Sequence, residues 1–207
     1  GSFTNIGGKK VRNLAALDVT TALSLPFVSA SATVTSIEKD ANNFYVTGSF
    51  TGANGFQTGG NAVVTATSDL PNFNLPKIAG QINKSIPDGN GGWYVGGSFN
   101  EQGITNLAHI LANNTIDTSF APNPNSTIHS LYLDGTTLYV GGSFTQISSQ
   151  TQSYLAALNA TTGALLNWDS NPDGIINSIT KEGNIIYVGG SFTNIGGKKV
   201  RNLAALD

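Results

Sequence analysis

GSFTNIGGKKVRNLAALD, residues 190–207, repeats letter for letter the eighteen residues 1–18. The two copies are offset by 189 positions (190 − 1), and weaker echoes lie between them. Gly-Ser-Phe recurs at Gly48-Ser49-Phe50, Gly97-Ser98-Phe99 and Gly142-Ser143-Phe144, so that the spacings from Gly1 are 47, 49, 45 and 48 residues. Recurrence at such a period marks a repeat architecture, in which each unit buries its apolar face against the next. The sequence therefore divides into repeats at 1–47, 48–96, 97–141 and 142–189, with 190–207 opening the next. Because the first and last segments are the same, the chain reads as a window on a longer tandem array.

Working outward from Gly190, the residues upstream form a hairpin. Ile176-Asn177-Ser178-Ile179-Thr180 alternates, Lys181-Glu182-Gly183-Asn184 turns, and Ile185-Ile186-Tyr187-Val188 is β-branched and aromatic. Downstream, Thr193 to Arg201 reads as a loop and Asn202-Leu203-Ala204-Ala205-Leu206 as a third strand. The equivalent Leu155-Ala156-Ala157-Leu158 is apolar on both faces, as a strand sandwiched between neighbouring sheets requires. Ala164 to Trp168 then reads as a fourth strand. Four short strands in a repeat of this length predict a propeller-type blade. Ser36, Ser85, Ser130 and Ser178 each precede a Gly-Ser-Phe serine by thirteen residues, which predicts one hairpin register throughout. On that alignment Asn83 falls where Val34, Ile128 and Ile176 are apolar. Three aromatics per repeat are expected to pack between blades: Phe27, Phe73, Phe120 and Trp168; Tyr45, Tyr94, Tyr139 and Tyr187; and the phenylalanine of Gly-Ser-Phe.

Composition excludes several classes. The chain has no cysteine, which removes disulfides, zinc–thiolate sites and thiol nucleophiles. Only 11% of residues are charged and the net charge is −2, so no basic face for nucleic acid is present. No apolar run reaches the length of a membrane span. The two histidines, His109 and His129, sit in no catalytic spacing, and no G-x-S-x-G elbow occurs. The turns at Asp88-Gly89, Asp134-Gly135, Asp173-Gly174 and Glu182-Gly183 carry carboxylates of the kind that bind calcium. Asp-Gly is equally the ordinary hairpin signal, and no DxDxDG spacing accompanies it, so no cofactor is expected. One basic cluster stands out: Lys9, Lys10 and Arg12, repeated as Lys198, Lys199 and Arg201. It falls in the loop whose length varies most between repeats, and it is the candidate ligand contact, suited to an acidic polysaccharide.

Tyr-Val-Gly-Gly-Ser-Phe-Thr, then Ile-Gly-Gly, then Leu-Ala-x-Leu, a turn and a closing aromatic resembles the delta-60 repeat. Ile116-Asp117-Thr118-Ser119-Phe120-Ala121-Pro122 is similar to the end of that repeat. The second repeat departs, with Asn61-Ala62-Val63-Val64-Thr65 in place of the Leu-Ala pattern. The resemblance implies a β-propeller-like fold in large secreted or surface-anchored bacterial proteins, and it transfers no catalytic residues. The expectation is thus all-β: tandem four-stranded blades, as an open superhelical array or part of a larger propeller. The expected role is a non-enzymatic structural or adhesive module, extracellular, whose partners are neighbouring repeats and surface polysaccharide. A discrete propeller binding carbohydrate or protein through its loops or channel, or an enzyme of that shape, is the alternative. The two identical segments are expected in equivalent environments, with Leu14 and Leu203 both buried.

Overall fold

The computed structural model describes residues 1–25, 27–40, 43–65, 75–168 and 170–207. Among them no helix occurs, and four antiparallel three-stranded sheets follow one another along the chain. Blade I comprises Val34–Asp40, Asn43–Gly48 and Asn61–Thr65; blade II, Gly80–Pro87, Trp93–Glu101 and Ile104–Ile110. Blade III comprises Ile128–Asp134, Thr137–Gly142 and Leu155–Asn159; blade IV, Ile176–Glu182, Ile185–Gly190 and Leu203–Leu206. Each Gly-Ser-Phe lies at the end of a second strand, so a blade takes two strands from one repeat and its third from the next. Residues 1–25 hold the outer part of a further blade: a hairpin of Asn5–Ile6 with Lys9–Lys10, and Ala16–Leu17 paired with Ser24–Leu25.

The fourth strand is shorter than the sequence suggests. In blades II and III it is a single bridge, Ile110 with Ile116 and Leu158 with Leu165. The chain bends at Leu166, whose carbonyl accepts from the Trp168 amide at 2.8 Å. The bend turns the indole edge-on to Tyr139, with ring centroids 5.2 Å apart. The aromatic ladder does pack between segments, as Phe120 lies against Tyr94 and Tyr45 stacks on Trp93 across blades I and II. Phe73 lies outside the described residues.

Every first strand carries a bulge at the same place. The ladder steps from Ile128 to Ser130 opposite Gly142 and Gly141, which leaves His129 unpaired; Thr35, Asn83 and Asn177 are its equivalents. The glycine facing the bulge has no room for a side chain. A Cβ on Gly142 would lie 2.3 Å from the Thr127 carbonyl oxygen, and one on Gly190 2.0 Å from that of Ile175. The bulge also corrects the expected alignment of repeat two. Ile82, fully buried, fills the apolar slot of Val34, Ile128 and Ile176, and Asn83 is the bulge residue. The extra residue sits in the wider turn at Asp88–Gly92, so Ser85 pairs with Val95 whereas Ser130 pairs with Gly141.

Bulge residues also join the blades. The Thr35 hydroxyl donates to the Ile82 carbonyl at 2.5 Å, and the Asn83 amide to that of Ile128 at 2.8 Å. The apolar slot residue then stacks on a glycine of the preceding blade. A Cβ on Gly96 would lie 2.5 Å from Ile128 Cγ2, and one on Gly141 2.7 Å from Ile176 Cγ2. Blades I to IV are thus stacked in series, and among the described residues no strand ladder closes IV onto I.

The segment expected to be a loop after Gly-Ser-Phe is a miniature hairpin in each repeat. Its two turn residues take positive φ: Gly7-Gly8, Asn54-Gly55, Gln102-Gly103, Ser148-Ser149 and Gly196-Gly197. Two consecutive positive φ values define the type I′ turn, which favours Asn-Gly and disfavours serine. Ser149→Gly alone, which keeps the Ser148 hydroxyl on the Gly163 carbonyl at 2.7 Å, is expected to raise stability by about 0.5–1 kcal/mol, read as a higher urea midpoint at constant slope. A lower midpoint would refute this reading of the turn.

The identical segments do not occupy identical environments. Leu14 is only 4% exposed, packed with Val28, Ala30, Val34 and Phe50 against blade I, whereas Leu203 is 67% exposed. The physical reason is the neighbour: residues 1–18 lie on blade I, while nothing among the described residues covers the outer face of blade IV.

Candidate functional site

The six basic residues all sit on the miniature hairpins or just beyond them. Lys9–Lys10 forms the second strand after the Gly7-Gly8 turn, and Lys198 bridges Ile195 after Gly196-Gly197. Lys9, Lys10, Arg12, Lys198, Lys199 and Arg201 are all exposed, and none forms an ion pair among the described residues. A tight hairpin holds the backbone and leaves the long side chains in water, which keeps each ammonium and guanidinium free for an anion. The two clusters are not brought together by any described ladder or hydrogen bond. Arg12 borders a shallow cleft of about 190 Å³ between successive hairpins, together with Ser29, Thr51, Gly52 and Phe56. Lys198 borders a smaller one of about 130 Å³ with Val200, Ala204 and Leu206. The rim of the larger cleft thus carries a guanidinium and an aromatic ring.

A second cluster was not legible in the sequence as one. His109 Nε2 lies 3.0 Å from Asp88 Oδ2, and Nδ1 lies 3.3 Å from Asp117 Oδ2. The imidazole stacks on Tyr94 with centroids 4.5 Å apart, and the Tyr94 hydroxyl donates to the Ala160 carbonyl at 2.7 Å. The wide turn brings Asp88 over the third strand, and the bridge between Ile110 and Ile116 brings Asp117 back to the same spot. Each ring nitrogen thus faces one carboxylate oxygen. Burial opposes ionisation of Asp88, but hydrogen bonds from His109 and the amides of Asn90 and Gly92 outweigh it and hold its pKa below the usual value. Asp117 is likewise opposed by burial and held low by Ser119 and His109.

A carboxylate with a depressed folded pKa contributes stability that is full above its unfolded value, near 4, and lost as pH falls through the folded one. The urea midpoint is therefore expected to drop on acidification from about pH 4 to pH 2. His109→Gln should flatten part of that acid limb. A limb of the same depth in His109→Gln would show that the imidazole does not hold these carboxylates.

His129, the bulge residue of blade III, places Nε2 2.8 Å from the Ser143 hydroxyl. Burial lowers its pKa. The pair arises because the bulge turns residue 129 towards the strand end at Gly142, a contact no linear spacing announces. No carboxylate is bonded to the other ring nitrogen among the described residues.

Three of the four turn carboxylates are taken up by donors of the protein itself. Asp88 accepts from Asn90, Gly92 and His109, Asp134 pairs with Lys181, and Asp173 accepts from the amides and side chains of Thr193 and Asn194. The Thr193 hydroxyl and the neighbouring amides hold the Asp173 carboxyl well below the usual carboxylate range. Among the described residues no group of three or more histidine or acidic side chains is placed to hold a metal ion.

No family model and no curated protein matches the sequence. Solved structures do match the fold. The computationally designed protein Ika4 aligns with a TM-score of 0.57 at 10% identity, over 85% of this chain and 91% of that one. The designed protein Ika8 aligns at 0.62 and 10%, over 93% of this chain and 56% of that one. The WD40 β-propeller domain of Doa1 aligns at 0.55 and 12%, over 84% and 51%. At such identities the likeness shows the fold alone, and the fold is propeller-like: an all-β stack of small antiparallel sheets.

Proposed function

We propose that the chain is a non-enzymatic structural and adhesive module of a large extracellular bacterial surface protein or filament, built of delta-60-type repeats. The observation that carries this reading is the eighteen-residue recurrence, which returns the same basic hairpin to the surface after each set of repeats. A polymeric surface protein gains from such repetition, because weak sites at regular spacing add by avidity. The ligand class is an acidic polysaccharide, held by Lys9, Lys10 and Arg12 and by Lys198, Lys199 and Arg201. The Arg12 cleft with Phe56 supports a sugar over a flat protein surface as its occupant. Catalysis is not part of the reading: both nitrogens of His109 face aspartates, and the His129–Ser143 pair has no orienting acid among the described residues.

Polygalacturonate binding, measured at low and at physiological salt, tests this. Binding should weaken as salt rises, since exposed charges are screened within about 8–10 Å. Neutralising all six basic residues to alanine should reduce affinity at least about tenfold, the effect of about 1.4 kcal/mol. Binding unchanged in that variant would end the polysaccharide assignment. Hydrolytic turnover lost in Ser143→Ala with folding intact would favour the enzyme alternative.

A further inference from the structure

Asn54-Gly55 and Asn90-Gly91 are the two asparagine–glycine pairs of the chain. An asparagine before glycine carries its own reactive partner. The next backbone nitrogen can attack the side-chain carbonyl carbon, and glycine has no side chain to stand in the way. The attack needs a carboxamide free to fold back and a following amide that is not tied into a ladder. The structure gives the two pairs opposite settings.

Asn54 is held from several sides. Its pair forms the turn between Gly52–Ala53 and Phe56–Gln57, with φ values of 49° and 82°. Its amide donates to the Ser29 carbonyl at 2.8 Å, and its side-chain oxygen accepts from the Ser29 amide at 3.2 Å. Folding that side chain back onto Gly55 breaks these contacts and the two-residue turn together. Asn90 stands at the exposed tip of the wide turn Asp88–Gly92, between Gly89 and Gly91, whose φ values are 81° and 89°. Among the described residues neither its carboxamide nor the Gly91 amide has a hydrogen-bond partner. Only its main-chain amide is tied, to Asp88 Oδ1 at 2.7 Å, and the same oxygen accepts from the Gly92 amide at 2.8 Å. A Cβ on Gly89 would meet nothing within 4 Å, so the space around the tip is open.

We propose that Asn90-Gly91 is a self-modification site, at which Asn90 converts through a cyclic imide to aspartate and isoaspartate and thereby loosens the Asp88–His109 contact. The Gly91 nitrogen gives its proton to hydroxide and attacks Asn90 Cγ. The N–Cγ bond forms, the Cγ–Nδ2 bond breaks, and Nδ2 takes a proton from water and leaves as ammonia. Water then opens the imide. Breaking the new N–Cγ bond gives aspartate on an unchanged main chain. Breaking the original C–N bond gives isoaspartate, whose main chain runs through Cβ and Cγ and is one carbon longer. The extra carbon falls between the amides of residues 90 and 92, the two donors that Asp88 Oδ1 spans. Either product adds a negative charge beside Asp88, whose Oδ2 faces His109 Nε2 at 3.0 Å. The inference rests on turn geometry and stands whether or not the basic hairpins bind polysaccharide.

The native full chain, incubated at mildly alkaline pH and sampled by peptide mapping with mass spectrometry, tests this. Asn90 is expected to convert at least about tenfold faster than Asn54, the factor that about 1.4 kcal/mol of barrier height produces. In urea above the unfolding transition the two pairs should convert at similar rates, because their neighbours no longer differ. Isomerisation at Asp88, Asp134 or Asp173, each also followed by glycine, leaves the mass unchanged and is told apart in that way. Asn90→Gln, whose longer side chain cyclises far more slowly, is the unreactive control. Incubated alongside, it should keep its melting temperature and acid limb. The converted wild-type chain should melt lower and lose part of the limb between about pH 4 and pH 2. Native conversion at Asn54 as fast as at Asn90, or none at Asn90, overturns the site. A converted chain that keeps both its melting temperature and its full acid limb overturns the loosening of the Asp88–His109 contact.

Discussion

Gly141→Val is expected to destabilise the protein by about 3 kcal/mol, the upper range for forcing atoms into a packed interior, while Gly189→Val leaves the monomer's stability within about 0.5 kcal/mol of wild type. The two glycines share the local sequence Tyr-Val-Gly-Gly-Ser-Phe-Thr, the same strand and the same pairing position, opposite Ser130 and Ser178. Propensity and register therefore cancel in the comparison, and only the neighbour differs. At Gly141 the new Cβ meets Ile176 and Ile179 across the blade interface, whereas at Gly189 the space is open. Gly142→Val belongs with the severe class for another reason, because its clash is with the Thr127 carbonyl and no rotamer relieves it. Lys9→Ala, on an exposed hairpin, should change stability by no more than about 0.5 kcal/mol. Urea unfolding by far-ultraviolet circular dichroism checks the series. Equal losses at Gly141 and Gly189 would mean that strand formation, and not blade stacking, sets the glycine requirement.

The same comparison shows what the sequence discloses and what it withholds. Period, strand content and the glycine-ended second strand are local properties, so they are readable from Gly-Ser-Phe and its spacing. The bulge is not, because it depends on which two residues of one strand face a single step of the other. Spacing alone therefore sets Asn83 against Val34, whereas its structural equivalent is Thr35. The serine spacing of thirteen looked like a register mark, yet in repeat two a longer turn offsets it by one. The Asp88–His109–Asp117 cluster needs three segments to converge, and no residue's own neighbours announce it. The basic hairpins were legible as a cluster, while their mounting on type I′ turns showed only in the φ values of the Gly-Gly pairs. Leu14 and Leu203 mark the limit most plainly: identical letters, opposite burial, decided wholly by what lies alongside.

A paired substitution at the interface of blades I and II should be stabilising although each half of it is damaging. Thr47 stands where blades II and III carry Gly96 and Gly141, and Ser85 where they receive Leu131 and Ile179. Both residues are fully buried, and neither hydroxyl oxygen has a hydrogen-bond partner among the described residues. A buried unsatisfied hydroxyl costs about 1–3 kcal/mol. The sister interface shows the apolar solution, in which a glycine makes room for a leucine whose Cδ1 comes within 3.3 Å of the Cβ position on Gly96. Ser85→Leu alone drives that side chain into Thr47 and is expected to cost about 1–2 kcal/mol through overpacking. Thr47→Gly alone leaves a void and a more flexible strand, at a cost of about 1–2 kcal/mol. Together they rebuild the Gly96–Leu131 contact, remove both orphaned oxygens and bury added apolar surface, for a net gain of about 1–2 kcal/mol over wild type. The cycle then carries a coupling of about 3–6 kcal/mol, beyond the 0.5–3 kcal/mol usual for neighbouring residues. Urea midpoints of the four proteins measure it directly. Additive losses would mean that the two hydroxyls are satisfied in solution, by ordered water between the blades, and that the polar interface is as favourable as its apolar counterpart.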